Sequence, residues 1–228
     1  KIQISRTPLL IPPSSPSRVR SMASSDEDSF TDTEEERADR LNIARGPLYV
    51  LIKRLIQKLV IEKKKRFRIG YKDVSKLISI VLAKLKQESS LVELDSLLPH
   101  NIVGDLRGNF YSAAAAYQHF TRDGDMNYFR PTRRFVALGN YVDGPNSLLV
   151  LILLFAMKLR CPKAVILLRG NHEIRSVNAV NGFKQQLVAN YNEERGAELF
   201  ERFNEVFDHM PLACLIGGKI LCVHGGIS

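Results

Sequence analysis

After Pro99 the chain repeats one pattern that leaves few folds open: a short apolar run that ends in a polar turn containing glycine. Ile102-Val103 leads into Gly104-Asp105-Leu106-Arg107-Gly108, and Phe135 to Leu138 into Gly139-Asn140-Tyr141-Val142-Asp143-Gly144. Val165 to Leu168 leads into Arg169-Gly170-Asn171-His172-Glu173, and Ile220 to Val223 into His224-Gly225-Gly226. Helical stretches, Ser112 to Phe120 and Ser147 to Leu159, separate the first three runs. Strand, turn, helix and strand in repetition predict an α/β fold with a largely parallel sheet. Pro211 to Ile216 and Lys219 to Val223 flank Gly217-Gly218, a hairpin signal, so one sheet is expected to be mixed. The polar turns then gather at strand ends, where open α/β sheets place their sites.

Upstream the pattern differs. Residues 1–40 hold eight serines, four prolines and an acidic stretch from Asp26 to Glu36. Such a segment buries too little apolar surface to offset the entropy of ordering, so a disordered tail is expected there. The chain opens on Lys1, whereas Met22-Ala23-Ser24-Ser25 looks more like a start, and residues 1–21 are expected to lie outside the natural protein. From residue 41 to 99 an N-terminal helical subdomain is expected. Leu48, Leu51, Ile52, Leu55, Ile56, Leu59 and Val60 recur at helical spacing. So do Val74, Leu77, Ile78, Val81, Leu82 and Leu85, behind a predicted N-cap at Asp73. Residues 100–228 then form the core.

The net charge of +9 is local, because residues 53–86 carry twelve basic against two acidic groups while residues 87–228 carry fourteen of each. The run Lys63-Lys64-Lys65-Arg66 with Arg68 reads as a solvated loop, and no nucleic-acid partner is expected. The longest apolar run, Leu148 to Met157, is half of what a spanning helix needs, about 20 residues, which argues against a membrane protein. Cys161, Cys214 and Cys222 lack metal-ligand spacing and read as reduced thiols of a cytoplasmic or nuclear protein.

Asp, Asn and His at the ends of neighbouring strands are the donor types of a dinuclear metal centre, which polarises a phosphoryl oxygen and supplies a hydroxide. The four turns are similar in order to the motifs GDxHG, GDxxDRG, GNHE and HGG. On these residues the chain from Leu41 to Ser228 resembles the phosphoprotein phosphatase (PPP) family of metal-dependent serine/threonine phosphatases, most closely its type-1 branch.

The resemblance implies a calcineurin-like metallophosphoesterase β-sandwich flanked by helices, of which the N-terminal part is present here. It implies two ions, Mn²⁺ with Fe or Zn, and metal ligands at Asp105, Asn140, Asn171 and His224, with one remaining histidine ligand expected further along than Ser228. It gives His172 the role of proton donor to the leaving group and Asp143 that of orienting the histidine. Three positions depart from the family. Arg107 stands at a histidine ligand, Asn140 at the aspartate that bridges both metals, and Gly144 at the arginine that clamps the substrate phosphate. An arginine offers no lone pair to a metal, and Asn140 lacks the charge that shields two dications.

The sequence thus leads to a serine/threonine phosphatase relative, impaired as given, that hydrolyses phosphoserine or phosphothreonine by ancestry. The alternative is a pseudophosphatase that binds phosphoproteins or phosphatase regulatory subunits as scaffold or decoy, or a fragment of a decaying gene copy. A last expectation concerns packing. If the sheet ending at His224 needs a second sheet from further along the chain, Ile102, Val103, Phe135, Val136, Ile166 and Leu167 lack part of their cover.

Overall fold

The computed structural model describes residues 69–121 and 133–226, together with Val50. The expected tail, the helix around residues 48–60 and the basic run lie outside the described residues.

Helix α1 covers Tyr71–Leu85 and buries Val74, Leu77, Ile78, Val81 and Leu85, the stripe that its apolar spacing predicts. Its N-cap is Gly70 rather than Asp73. Asp73 lies in the first turn, where its charge faces the positive end of the helix dipole. Strand β1 (Leu91–Leu94) follows within a segment that the sequence reads as helical. Then come β2 (His100–Val103), α2 (Phe110–Thr121), β3 (Arg134–Ala137), α3 (Ser147–Arg160) and β4 (Val165–Leu167). A single 3-10 turn at Asn171–Glu173 leads to α4 (Arg175–Asn178), α5 (Phe183–Tyr191) and α6 (Glu193–Asp208). The hairpin of β5 (Ala213–Ile216) and β6 (Ile220–Val223) ends the described chain.

Two three-stranded sheets result. Strands β2, β3 and β4 are parallel neighbours in that order, while β1 pairs in parallel with β5 and β5 antiparallel with β6. The mixed sheet expected from Gly217-Gly218 is therefore a second sheet, not an extension of the first. Alternation along β3 and β4 shows how the layers stack. Phe135, Ala137, Val165 and Leu167 join the helical core, whereas Val136, Ile166 and Leu168 pack with Leu94, Cys214, Ile216 and Cys222 of the second sheet. The strand before His224 thus lies in the covering sheet, and Val136 and Ile166 are buried by it. Of the residues expected to lack cover, Ile102 alone is exposed, at 46%.

Helix α3 is apolar on all sides and is buried along nearly its whole length. Even Lys158 is fully buried there. Its ammonium donates to Pro162 O at 2.9 Å and Val165 O at 2.8 Å and pairs with Glu88, so all three hydrogens have acceptors. The Ala113 to Ala116 segment, which reads as close-packed, buries only Ala113 fully.

Helices α5 and α6 complete the helical layer. Asn192 caps α6 by accepting from Arg195 N–H at 3.0 Å. The ring of Phe203 lies 5.4 Å from Phe183, 6.1 Å from Phe155 and 6.3 Å from Phe207, centroid to centroid. Phe203→Ala should therefore cost about 3–5 kcal/mol of unfolding free energy. Urea denaturation of the variant, followed by circular dichroism, checks this; a loss below about 1 kcal/mol would mean that the cluster collapses into the gap.

Candidate active site

The turns after β2, β3 and β4 and the residue after β6 converge at one end of the two sheets. Backbone hydrogen bonds join the first two turns: Leu106 and Arg107 N–H donate to Asn140 O at 3.1 and 2.7 Å, and Gly108 N–H to Tyr141 O at 2.8 Å. The third turn is joined through Glu173, whose carboxylate is fully buried. Its Oε2 accepts from Asn140 N–H at 2.7 Å and Gly170 N–H at 3.0 Å, and its Oε1 from Tyr141 N–H at 2.8 Å and Val142 N–H at 3.4 Å. Burial raises the Glu173 pKa, and the backbone donors offset part of that rise. Tyr141, also fully buried, donates its hydroxyl to Leu168 O at 2.7 Å.

This end of the molecule is also where the backbone is strained. Among the described residues, four non-glycine residues have positive φ, and three of them are Arg107 at 40°, Asn140 at 58° and Asp143 at 64°. Gly144 packs so closely on the first turn that a β-carbon there would stand 1.8 Å from Arg107 O.

The structure brings together all the residues singled out in the sequence. His172 Nδ1 donates to Asp143 Oδ2 at 2.7 Å, a contact that does not use Nε2. The imidazole is 12% exposed and the Asp143 side chain 3%. His224 donates from Nδ1 to Leu138 O at 2.9 Å, and its Nε2 lies 2.8 Å from Asn171 Oδ1, so two donors for one cation converge. Asp105 Oδ2 is differently engaged. It accepts from Arg107 Nε at 3.0 Å and from Asn140 Nδ2 at 2.9 Å. Burial pushes the Asp105 pKa up, but these two donors and the Arg107 charge outweigh it and hold the carboxyl below its ordinary value.

Donor chemistry decides whether a pair of divalent cations fits. Asn140 Oδ1 accepts from His172 N–H at 3.0 Å, which turns the amide nitrogen, a donor without a lone pair, towards Asp105. A guanidinium stands on the same oxygen. Among the described residues no group of three or more His, Cys, Asp or Glu side chains is placed to hold a metal. The residues present therefore do not fit a dinuclear centre. Cys214 and Cys222 lie in the core of the second sheet, where burial pushes the Cys214 thiol up to about 11 and raises that of Cys222 as well.

Reading the sequence left two supporting residues without a role. Glu173 was visible only as the last letter of a motif. Arg169 reaches Glu173 O from Nε at 3.3 Å and Asp208 Oδ1 from Nη2 at 2.6 Å, tying the third turn to the end of α6. No local signal announces either contact.

A profile of the calcineurin-like phosphoesterase family matches residues 100–228. The chain belongs to the calcineurin-like phosphoesterase family. Within it, the sequence and fold place it among the PPP serine/threonine phosphatases. It is 40% identical over 157 residues to a serine/threonine-protein phosphatase of Caenorhabditis elegans, an alignment that takes in 68% of this chain and 32% of the relative. A protein serine/threonine phosphatase from Saccharomyces cerevisiae with similarity to human phosphatase PP5 superposes with a TM-score of 0.67 at 28% identity, over 79% of this chain and 55% of the yeast chain. This chain thus spans 32% to 40% of the length of the curated relatives that it matches. The family is one of metallophosphoesterases.

The contact between Gly144 and Arg107 gives a measurable contrast. Gly144→Ala should destabilise the fold by about 1–3 kcal/mol, because its β-carbon meets backbone that cannot rotate away. Gly104→Ala, with no atom within 4 Å of its β-carbon, should change stability by less than about 0.5 kcal/mol. Equal effects in parallel chemical denaturations would contradict the packing described.

Proposed function

We propose that this PPP-family member is a pseudophosphatase: it recognises phosphoproteins or phosphatase regulatory subunits and does not turn over the phosphoester. The observation that carries the reading is the occupancy of Asp105 Oδ2 by the Arg107 guanidinium and the Asn140 amide. Phosphoester hydrolysis in such a centre depends on charge that stabilises the transferred phosphoryl group and on a water made nucleophilic. A carboxylate oxygen taken up by two N–H donors, one of them cationic, is drawn away from both tasks. Gly144 adds to the deficit, since it has no side chain with which to hold a phosphate.

One observation favours the other reading, a serine/threonine phosphatase with residual activity that uses Mn²⁺, or Fe or Zn. The 2.7 Å pair of His172 and Asp143 is intact. In that reading Asp143 fixes the ring, His172 Nε2 carries the proton that the leaving oxygen takes, and Asn171 with His224 holds what metal is bound. A cytoplasmic or nuclear setting suits either reading, and the buried thiols of Cys214 and Cys222 agree with it.

A phosphoserine peptide incubated with the full chain and Mn²⁺ separates the two. The expected result is phosphate release no faster than from His172→Ala. Release that His172→Ala lowers by 100-fold or more, the scale of a lost general acid (about 10²–10⁴), would establish a phosphatase instead.

A further inference from the structure

We infer that Arg107 and Asn140, given room by Gly144, are a built-in replacement for a cation on Asp105, so that this half of the site keeps its shape without metal. The inference deepens the reading above by saying what stands in the metal's place. It begins with charge. Asp105 and Arg107 carry opposite charges 3.0 Å apart and Asn140 is neutral, so the group balances as it stands. A carboxylate at position 140 in the same pose would set one of its oxygens about where Nδ2 is, 2.9 Å from Asp105 Oδ2. Two like charges at that distance need a proton or a cation between them. Asparagine turns the same contact into a hydrogen bond.

Saturation of partners points the same way. Asn140 is 2% exposed, and its N–H, C=O, Oδ1 and Nδ2 all have partners within the chain: Glu173, Leu106 with Arg107, His172 and Asp105 respectively. Each of its polar atoms is thus engaged within the chain. The pose of Arg107 depends in turn on its neighbours. Its N–H is held by Asn140 O at 2.7 Å, its φ of 40° turns the side chain back onto Asp105, and its carbonyl occupies the place of a β-carbon at 144. The three residues therefore act as one unit, in which the guanidinium supplies the charge, the amide removes a repulsion and the glycine yields the space.

Thermal unfolding of the full chain, stripped with EDTA and then titrated with Mn²⁺, tests this. The melting temperature of the unaltered chain should not respond to Mn²⁺ through Asp105: any rise, from an ion at Asn171 and His224, should persist in Asp105→Asn. A Mn²⁺-dependent rise that Asp105→Asn abolishes would overturn the inference. The double variant Arg107→His with Asn140→Asp should melt lower than the unaltered chain in EDTA and recover by on the order of 5 °C in saturating Mn²⁺. If it folds and ignores Mn²⁺, the two residues are not what keeps the cation away, and the inference fails. If it does not fold, the Asp105→Asn comparison still decides. Failure here is distinct from failure of the proposed function: a chain that binds Mn²⁺ on Asp105 yet hydrolyses nothing refutes this inference alone.

Discussion

Four backbone N–H groups from two different turns end on the buried carboxylate of Glu173, and the arrangement of the cleft depends on that convergence. A turn held by one hydrogen bond can swing about it; one held by Asn140, Tyr141 and Val142 together cannot. The fixed turn then presents Asn140 O to Leu106 and Arg107, so the first turn takes its place from the second. Gly170 has to lack a side chain for this to work, because a β-carbon there would lie 2.4 Å from Asn140 N and 2.8 Å from Glu173 Oε2. Leaving any of these donors without its acceptor in a buried setting costs about 1–3 kcal/mol, which makes the clamp a large share of the stability of a domain.

The strand-and-turn rhythm after Pro99 was legible because it is a local signal. Each apolar run became a strand within one or two residues of its expected bounds, and each polar turn met the others at one end of the sheets. What was not legible depends on distant partners. Strand β1 is four residues long, and its parallel partner β5 lies more than a hundred residues away; Leu91-Val92-Glu93-Leu94 has no local feature that announces such pairing. The same holds for Lys158, which sequence places at the end of an apolar run but which is buried against the carbonyls of Pro162 and Val165 and against Glu88. Helix α6 is a different case, since Leu199, Phe200, Phe203, Val206 and Phe207 repeat at helical spacing and are buried. That signal was present and unread.

At the site, residue identity revealed the departures, and geometry supplied their consequence. It is the resemblance that puts Arg107 and Asn140 at ligand positions. That both end on one oxygen of Asp105 depends on the orientation of an amide and on a strained backbone, neither of which is written in a motif. By resemblance Gly144 marks a lost phosphate clamp. The structure adds that the glycine is also required sterically, because the carbonyl of Arg107 fills the space beside it.

The contacts that hold this cleft together and the atoms that would do chemistry in it are largely separate. Glu173, Tyr141 and the main chain of Asn140 position the turns through backbone groups, to which the Asn140 amide adds its contacts with His172 N–H and Asp105. The pair of His172 and Asp143 rides on those same turns, and its 2.7 Å contact follows from their position whether or not a phosphoester ever reaches it. An intact general-acid geometry is thus weak evidence of activity in this fold, because the scaffold enforces it. Asp105 is the more telling residue: its side chain is 44% exposed, and the Arg107 and Asn140 groups on its Oδ2 decide what that oxygen can take up.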